Sequence, residues 1–196
     1  MASTLKKSKK QIIFEEAARL FKDKGYKAAS MRDLADRVGL EQASSLYSHI
    51  RSKEEILQKI CLDNASKFSE GIQEIEQSVV GVGAQVRALI RLHIRIAIKD
   101  TTSVTVFNDE WRHLSPPYLE EFLALRHDYE DRFRKIIEKG IDQGEFRGMN
   151  SAVALYTLLN AFRWIHYWYK PDRELSPEAI EKDIINLLLN GLANKS

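Results

Sequence analysis

The sequence is poor in the residues that many small folds depend on. Among 196 residues it has one cysteine, four prolines and nine glycines. A single cysteine, Cys61, excludes an internal disulfide and any metal cluster built from several cysteines. The shortage of proline and glycine disfavours both a disordered chain and an all-β chain with many tight turns. These absences favour a globular helical protein.

Long apolar runs and catalytic motifs are missing as well. No stretch of about eighteen apolar residues is free of charge, and no apolar signal core follows the basic N-terminus. We therefore expect a cytoplasmic protein without a membrane anchor. The sequence shows no glycine-rich phosphate loop, no metal-ligand cluster and no nucleophile motif. We expect a protein that is not an enzyme and binds neither a cofactor nor a metal.

The charges that are present are distributed unevenly. Residues 1–53 contain twelve lysines and arginines against six acidic residues, a net charge of +6. The remaining 18 basic and 22 acidic residues give residues 54–196 a net charge of −4. Lysines that neutralise phosphates release condensed counterions, so a basic segment favours nucleic acid as a partner.

The spacing of apolar residues predicts an all-α protein of about nine helices. The predicted helices cover residues 7–24, 31–38, 42–48, 53–78, 84–99, a short segment around 107–114, 117–143, 150–169 and 177–190. A Thr/Ser-rich stretch at 101–105 is predicted to separate two of them. The helix at 53–78 would span roughly 39 Å at 1.5 Å per residue. It is predicted to connect an N-terminal domain, residues 1–53, to a C-terminal domain, residues 54–196.

The two short helices at 31–38 and 42–48 have the length and spacing of a helix-turn-helix, with Gly39 in the turn. The second helix would be the recognition helix. Its polar side chains suit base edges and phosphates better than a core, and they are Gln42, Ser44, Ser45, Tyr47 and His49. A plain helical hairpin with a polar face is the alternative.

This part of the chain resembles the TetR family of repressors. The resemblance rests on ordered motifs between residues 10 and 60, among them Ala17-Ala18-Arg19-Leu20-Phe21, Ser30-Met31-Arg32-Asp33-Leu34-Ala35 and Ser45-Leu46-Tyr47-Ser48-His49. It implies that Ser30, Tyr47, His49 and Lys53 contact phosphates, and that Arg32, Gln42, Ser44 and Ser45 approach bases. The family usually has six residues between the glycine and the tyrosine, whereas residues 40–46 make seven here. Which of residues 41–44 face the major groove therefore stays open.

The last two predicted helices are apolar on nearly every face. A helix of this kind must be buried on every side. In a domain this small, a second copy of the chain is expected to cover one face, which predicts a homodimer with a four-helix interface. A helix fully internal to a monomer is the alternative.

A second resemblance concerns the aromatic segment at 160–171 and residues 175–178, which are similar to the TetR subgroup that regulates fatty-acid and related acyl-CoA catabolism. It implies an acyl-CoA or lipid-like effector, while drugs, aromatic compounds and other hydrophobic metabolites stay open. The candidate pocket walls are Phe107, Trp111, Leu123, Tyr129 and Phe133. The candidate anchors for an anionic group are Arg91, His93, Arg95, Arg126 and Arg163. Core packing and simple ion pairs are the alternative roles for these side chains.

Together these patterns predict a transcriptional repressor whose homodimer binds double-stranded operator DNA and leaves it when a small hydrophobic effector binds. The alternative is a helical ligand-binding accessory module without operator-specific DNA binding.

Overall fold

The computed structural model describes residues 7–170 and 175–190. Pro171, the end of the aromatic segment, lies outside these residues. Within them the chain forms nine α-helices, two 3-10 helices and no strand. The helices are α1 (Lys9–Lys24), α2 (Met31–Arg37), α3 (Lys53–Ser78), α4 (Val82–Lys99), α5 (Thr101–Glu110), α6 (Tyr118–Asp142), α7 (Ser151–Arg163), α8 (Ile165–Trp168) and α9 (Pro177–Asn190). The 3-10 helices cover Ala43–Ser48 and Trp111–His113. The predicted all-α architecture is confirmed.

Local capping signals start the N-terminal helices. Ser8 and Ser30 each accept a hydrogen bond from the backbone N–H three residues later, and the side chain of that residue accepts one from the serine N–H. These reciprocal capping boxes satisfy backbone donors that a helix start leaves free. Two ion pairs of 2.7 Å, Lys24–Asp33 and Arg37–Asp23, then join α1 to α2.

The long helix α3 has 26 residues, as predicted. The hydrophobic core of α1 and α2 continues without a break onto its first half and onto the later residues Val106, Leu114 and Phe122. Cys61 is buried in this core, and burial raises the pKa of its thiol to about 12. The first half of α3 and the start of α6 therefore share one core with the N-terminal helices, and the division at residue 53 stays a prediction.

Two predicted helix limits are wrong. The Thr/Ser-rich stretch at 101–105 forms the first half of α5, because the Asp100 carboxylate accepts the Ser103 N–H at 2.9 Å and caps the helix. The predicted helix at 150–169 is divided at Trp164, which separates α7 from α8. In both cases the polar or apolar character of single residues was a weaker guide than capping and packing.

A second core cluster joins the second half of α3 to α4, α6, α7 and α9. No helix in the described ranges is long and apolar enough to cross a membrane. On α7 only Leu155 and Phe162 are buried, and on α9 only Ile180 is. Much of the apolar surface of these two helices is therefore left uncovered within one chain.

Candidate functional sites

The turn after α2 explains how the chain accommodates its extra residue. Gly39 has φ +69°, and the N–H groups of Gly39 and Leu40 donate to the carbonyls of Asp36 and Ala35 at 3.3 and 2.9 Å. These two bonds form a Schellman motif, which favours glycine at the left-handed position. Beyond Leu40 the chain bends at Glu41 and is extended at Gln42, whose φ and ψ are −131° and 136°. The additional residue thus lengthens the link between the Schellman motif and the helix that follows.

The segment that follows, Ala43–Ser48, is a 3-10 helix and not the α-helix that recognition helices usually form. In a 3-10 helix, side chains three residues apart lie above one another. Ser44 and Tyr47 therefore share one face, while Leu46 is fully buried against α2. This geometry anchors the segment through Leu46 and leaves its polar face outward.

Most of the predicted DNA contacts are accessible. Ser30, Arg32, Gln42, Ser44, Ser45 and Tyr47 are exposed, and His49 is partly buried. Two of them already have local partners, since the Ser30 hydroxyl donates to the Asp33 carboxylate at 2.7 Å and Arg32 lies 3.5 Å from Asp36. Hydrogen bonds from Lys24 and Ser30 also hold the pKa of Asp33 well below its usual range. The N-terminus of α2 thus carries a fixed hydrogen-bonded cap.

Lys53, for which the motif implies a phosphate contact, has partners within the protein. Its ammonium donates to the carbonyls of Tyr26 and Ala29 at 2.7 and 2.8 Å, and it lies 4.3 Å from the centre of the Tyr26 ring. The side chain is partly buried, and this burial lowers its pKa. Lys53 therefore joins the start of α3 to the loop before α2 and has little donor capacity left for a phosphate.

Other cations in the N-terminal region are better placed for a polyanion. In the region that the structure describes, the exposed side chains of Lys22, Lys27 and Arg51 form neither an ion pair nor a hydrogen bond, whereas Lys7, Lys10, Arg19, Lys24, Arg32 and Arg37 are paired with carboxylates. A count of charges cannot separate these groups, because ion pairing depends on the fold. Arg51, two residues from His49, is a candidate DNA contact that the sequence alone did not indicate.

A cavity of about 160 Å³ lies in the C-terminal part of the molecule, between α3, α4, α5, α6 and α7. Phe107, Trp111, Arg126, Tyr129 and Arg163 all line it, as does His93. Further lining residues that the sequence analysis did not name are Phe68, Phe122, Glu130, Tyr156 and Asn160. The spacing of four between residues 126 and 130, and between 156 and 160, was an available signal because it places each pair on one helix face.

Four predicted pocket residues lie elsewhere. Phe133 is fully buried in the second core cluster, one turn beyond Tyr129, and Leu123 packs against the first cluster. Arg91 and Arg95 both pair with Glu181, so they attach α4 to α9. The spacing of apolar residues indicated whether each of these side chains faces inward or outward, but it did not indicate which residue each one contacts.

The cavity mouth carries a small polar network. Arg126 donates to one oxygen of Glu130 at 2.8 Å, and the Tyr156 hydroxyl donates to the other at 3.2 Å. The guanidinium of Arg126 lies 5.4 Å from the centre of the Trp111 ring, and Arg163 donates to the Asn108 carbonyl at 3.0 Å. Two arginines against one carboxylate give the mouth a positive balance that suits an anionic ligand.

The inner wall holds a polar pair among aromatic rings. His93 Nε2 and the Tyr129 hydroxyl are 2.7 Å apart, and the imidazole lies between Phe68 and Phe162, with ring centres at 4.6 and 4.9 Å. Burial lowers the pKa of His93 to about 3 and raises that of Tyr129. Both side chains are therefore neutral near pH 7.

The lowered pKa of His93 predicts a loss of stability in mild acid. The unfolded chain takes up a proton on this residue below about pH 6.5, whereas the folded chain does so only below about pH 3. The stabilisation of the folded chain by neutral His93 is thus complete above pH 6.5 and is lost as the pH falls. We expect this loss to lower the free energy of unfolding by about 2 kcal/mol between pH 7 and pH 5.

Urea titrations of the wild type and His93→Gln at several pH values would measure this loss, at one protein concentration. The variant should show a shallower pH dependence, while His127→Gln, which changes an exposed histidine on α6, should keep the wild-type slope. Equal slopes for the wild type and His93→Gln would contradict the assignment.

A short segment connects the cavity to the N-terminal helices. Trp111 lines the cavity, and His113, two residues later, stacks on Tyr26 with ring centres 5.7 Å apart and planes at 20°. Tyr26 is the residue whose ring and carbonyl contact Lys53. One 3-10 turn thus touches both the cavity and the loop that precedes α2.

Among the residues described, no group of three histidine, cysteine or acidic side chains could hold a metal ion. The chemistry of the two sites is that of binding: exposed donors and cations on one side, and an aromatic cavity with a charged mouth on the other.

Two regions of the chain match models of known protein families. Residues 13–60 match the family model described as bacterial regulatory proteins of the tetR family. Residues 81–192, more than half of the chain, match a tetracyclin repressor-like C-terminal domain.

Among curated proteins, the transcriptional repressor KstR2 of Rhodococcus jostii is 26% identical over 191 residues, which cover 96% of this chain and 93% of the relative. Among solved structures, the TetR-family regulator PfmR of Thermus thermophilus is 32% identical with a TM-score of 0.79, covering 93% of this chain and 99% of the other. AibR in complex with isovaleryl coenzyme A and operator DNA is 26% identical with a TM-score of 0.79, covering 93% and 98%. The chain belongs to the TetR family of DNA-binding transcriptional regulators and is a regulator, not an enzyme.

Proposed function

We propose that this protein is a homodimeric repressor that binds operator DNA and is released when a coenzyme A thioester of a small hydrophobic acid occupies the cavity. The observation that carries the proposal is the contact between the cavity and the DNA-binding region through Trp111–His113. A ligand that changes the position of Trp111 also acts on His113, and thereby on Tyr26 and the start of α2.

The choice of effector is supported by the cavity and by one relative. An apolar interior accepts an acyl group, and Arg126 and Arg163 at the mouth suit the phosphates of a nucleotide carrier. AibR has been solved with an acyl-CoA and operator DNA together, and this chain aligns with it over nearly its full length. The repressor direction is supported by the KstR2 relatives, which are named repressors.

The dimer is supported by the uncovered apolar side chains of α7 and α9. Val153 on α7 and Trp164 at the C-terminal end of α7 are 65 and 59% exposed, and Leu187 on α9 is 46% exposed. A second copy that packs the same two helices would bury them in an isologous four-helix interface. Two DNA-binding regions would then be held at a fixed spacing for two half-sites.

For DNA we propose contacts from Ser30, Arg32, Gln42, Ser44, Ser45, Tyr47 and His49, with Arg51 added. Lys53 is proposed as a positioning residue, because its ammonium already binds backbone carbonyls. For the ligand we propose Phe107, Trp111, Arg126, Tyr129 and Arg163, joined by Phe68, Glu130 and Tyr156 on the same cavity.

The test is fluorescence anisotropy with labelled DNA from the promoter regions around the protein's own gene, titrated first with salt and then with isovaleryl-CoA and palmitoyl-CoA. Tight, salt-sensitive binding that an acyl-CoA reverses supports the proposal. Binding that no acyl-CoA reverses would keep the DNA-binding regulator and reject the effector. Absence of specific binding would favour a helical ligand-binding accessory module.

The stacking of His113 on Tyr26 makes the communication between the sites testable. We expect His113→Ala to bind the effector with unchanged affinity but to need at least about fivefold more of it for operator release, because part of a coupling of about 1 to 3 kcal/mol is lost. Calorimetry would measure effector affinity and anisotropy would measure release. His127→Ala, which removes an exposed histidine of α6, should behave as wild type in both; a His113→Ala variant that also does so would place the coupling elsewhere.

A further inference from the structure

The inner wall of the cavity holds unused hydrogen-bonding capacity. Tyr129 is 6% exposed and is the one buried residue with a polar side-chain atom on that wall. Within the described residues, its bond to His93 is the only hydrogen bond that either side chain makes. The surroundings are aromatic, since Phe68 and Phe162 cover the imidazole and Phe68 also meets the Tyr129 ring edge-on at 5.8 Å.

Both tautomers of His93 leave one donor free. If the Tyr129 hydroxyl donates to His93 Nε2, the N–H at Nδ1 has no acceptor among the described residues; if Nε2 donates, the tyrosine O–H has none. The imidazole is neutral because its burial holds its pKa at about 3, so it does not become an anion-binding group. His93 and Tyr129 both line the cavity, so a ligand that supplies an acceptor gains a hydrogen bond to the free donor, whereas a hydrocarbon does not.

The size of the cavity limits what can enter. An enclosed apolar cavity of roughly 150 Å³ holds a benzene molecule. The cavity in this protein measures about 160 Å³ and is open to solvent at its mouth. It therefore accommodates a compact group of about six to eight non-hydrogen atoms. A long unbranched chain would have to displace the surrounding rings or remain outside the mouth.

On the basis of the proposed acyl-CoA site, we infer that the effector's acyl group is compact and carries a carbonyl or hydroxyl oxygen beyond its thioester, which binds the His93–Tyr129 pair. The coenzyme A part of the ligand extends out of the cavity between α6 and α7, past Arg126 and Tyr156. This assigns the protein to the sensing of partly oxidised acyl groups, the products of hydration, hydroxylation or dehydrogenation, in preference to saturated fatty acyl groups.

The experiment is calorimetry of the full-length dimer with hexanoyl-CoA, with its 3-oxo, 3-hydroxy and 5-oxo derivatives, and with palmitoyl-CoA. At least one oxygenated ester should bind about tenfold more tightly than hexanoyl-CoA, the fold-change expected for one added buried hydrogen bond. Palmitoyl-CoA should bind more weakly than hexanoyl-CoA. Equal affinities for the saturated and all oxygenated esters, or tighter binding of palmitoyl-CoA, would overturn the inference.

Tyr129→Phe isolates the hydroxyl. In this variant the preference for the oxygenated ester should fall to about twofold or less, while operator affinity in the absence of ester stays near wild type. Tyr118→Phe is the matched control, because Tyr118 is exposed at the start of α6 and does not line the cavity; it should keep the preference. A preference retained in Tyr129→Phe would reject the pair as the oxygen site.

Operator binding, measured in parallel, distinguishes a failure of the oxygen requirement from a failure of the proposed acyl-CoA effector. Release by hexanoyl-CoA as efficient as by its oxygenated derivatives would leave the proposed repressor intact and remove the oxygen requirement. If no ester binds the protein while operator binding persists, both the acyl-CoA effector and this inference are wrong.

Discussion

The double variant Val153→Glu, Leu187→Glu is expected to be a monomer and to bind operator DNA at least about 100-fold more weakly than the wild type. Both side chains are exposed and apolar, on the two helices that we propose to form the dimer. A glutamate in such an interface would be buried without a partner, which disfavours association by several kcal/mol. Without association, two linked DNA-binding regions become independent, and the gain from binding two half-sites together disappears.

Light scattering after gel filtration would give the mass, and anisotropy would give operator affinity. Val80→Glu is the matched control, because Val80 is 94% exposed in the turn between α3 and α4 and belongs to neither of the two helices proposed to form the dimer. It should remain a dimer with unchanged affinity. A double variant that stays dimeric would place the interface on another surface, and a wild-type protein that is monomeric while binding tightly would exclude the symmetric arrangement.

The parts of the fold that could be predicted from sequence are those set by local chemistry. Two of these parts, the Ser30–Asp33 capping box and the left-handed turn at Gly39, involve residues within a few positions of one another. The third is the 26-residue helix α3, along which apolar residues recur every three or four positions. Each has few structural solutions, so the sequence constrains the outcome strongly.

The parts that could not be predicted depend on distant partners. The Lys53 motif implies a phosphate contact, but its ammonium meets carbonyls 24 and 27 residues earlier in the chain. Arg91 and Glu181, on α4 and α9, are 90 residues apart. Long side chains reach several neighbours, and only the packing of helices decides which one is closest.

The residues that line the cavity could also be predicted only in part from the sequence. Tyr129 and Phe133 lie four residues apart on α6, and both are aromatic and inward. Tyr129 lines the cavity while Phe133 fills the core below it. Hydrophobic periodicity identifies an inward face but does not say where along that face the packing leaves a space.

The positions of Lys53 and Arg51 predict that only the Arg51 variant changes the salt dependence of operator binding. Each phosphate contact adds about 0.9 to the slope of log affinity against log salt. We expect Arg51→Met to lower this slope by about 1, because its exposed guanidinium has no protein partner within the described residues. Lys53→Met should weaken operator binding by about tenfold with the slope unchanged, because the loop before α2 loses the donor that holds it, at a cost of roughly 1 to 3 kcal/mol.

Anisotropy at several salt concentrations would measure both slopes, and urea unfolding would measure the loss of stability expected for Lys53→Met alone. Lys59→Met provides the control, since Lys59 lies on the same helix and pairs with Asp63 at 2.7 Å; slope, affinity and stability should all stay near wild type. A slope reduced by about 1 in Lys53→Met, with unchanged stability, would mean that the ammonium leaves the Tyr26 and Ala29 carbonyls for a phosphate when DNA binds. The lysine would then be a DNA contact, as its motif implies, and the geometry of the free protein would describe its resting position.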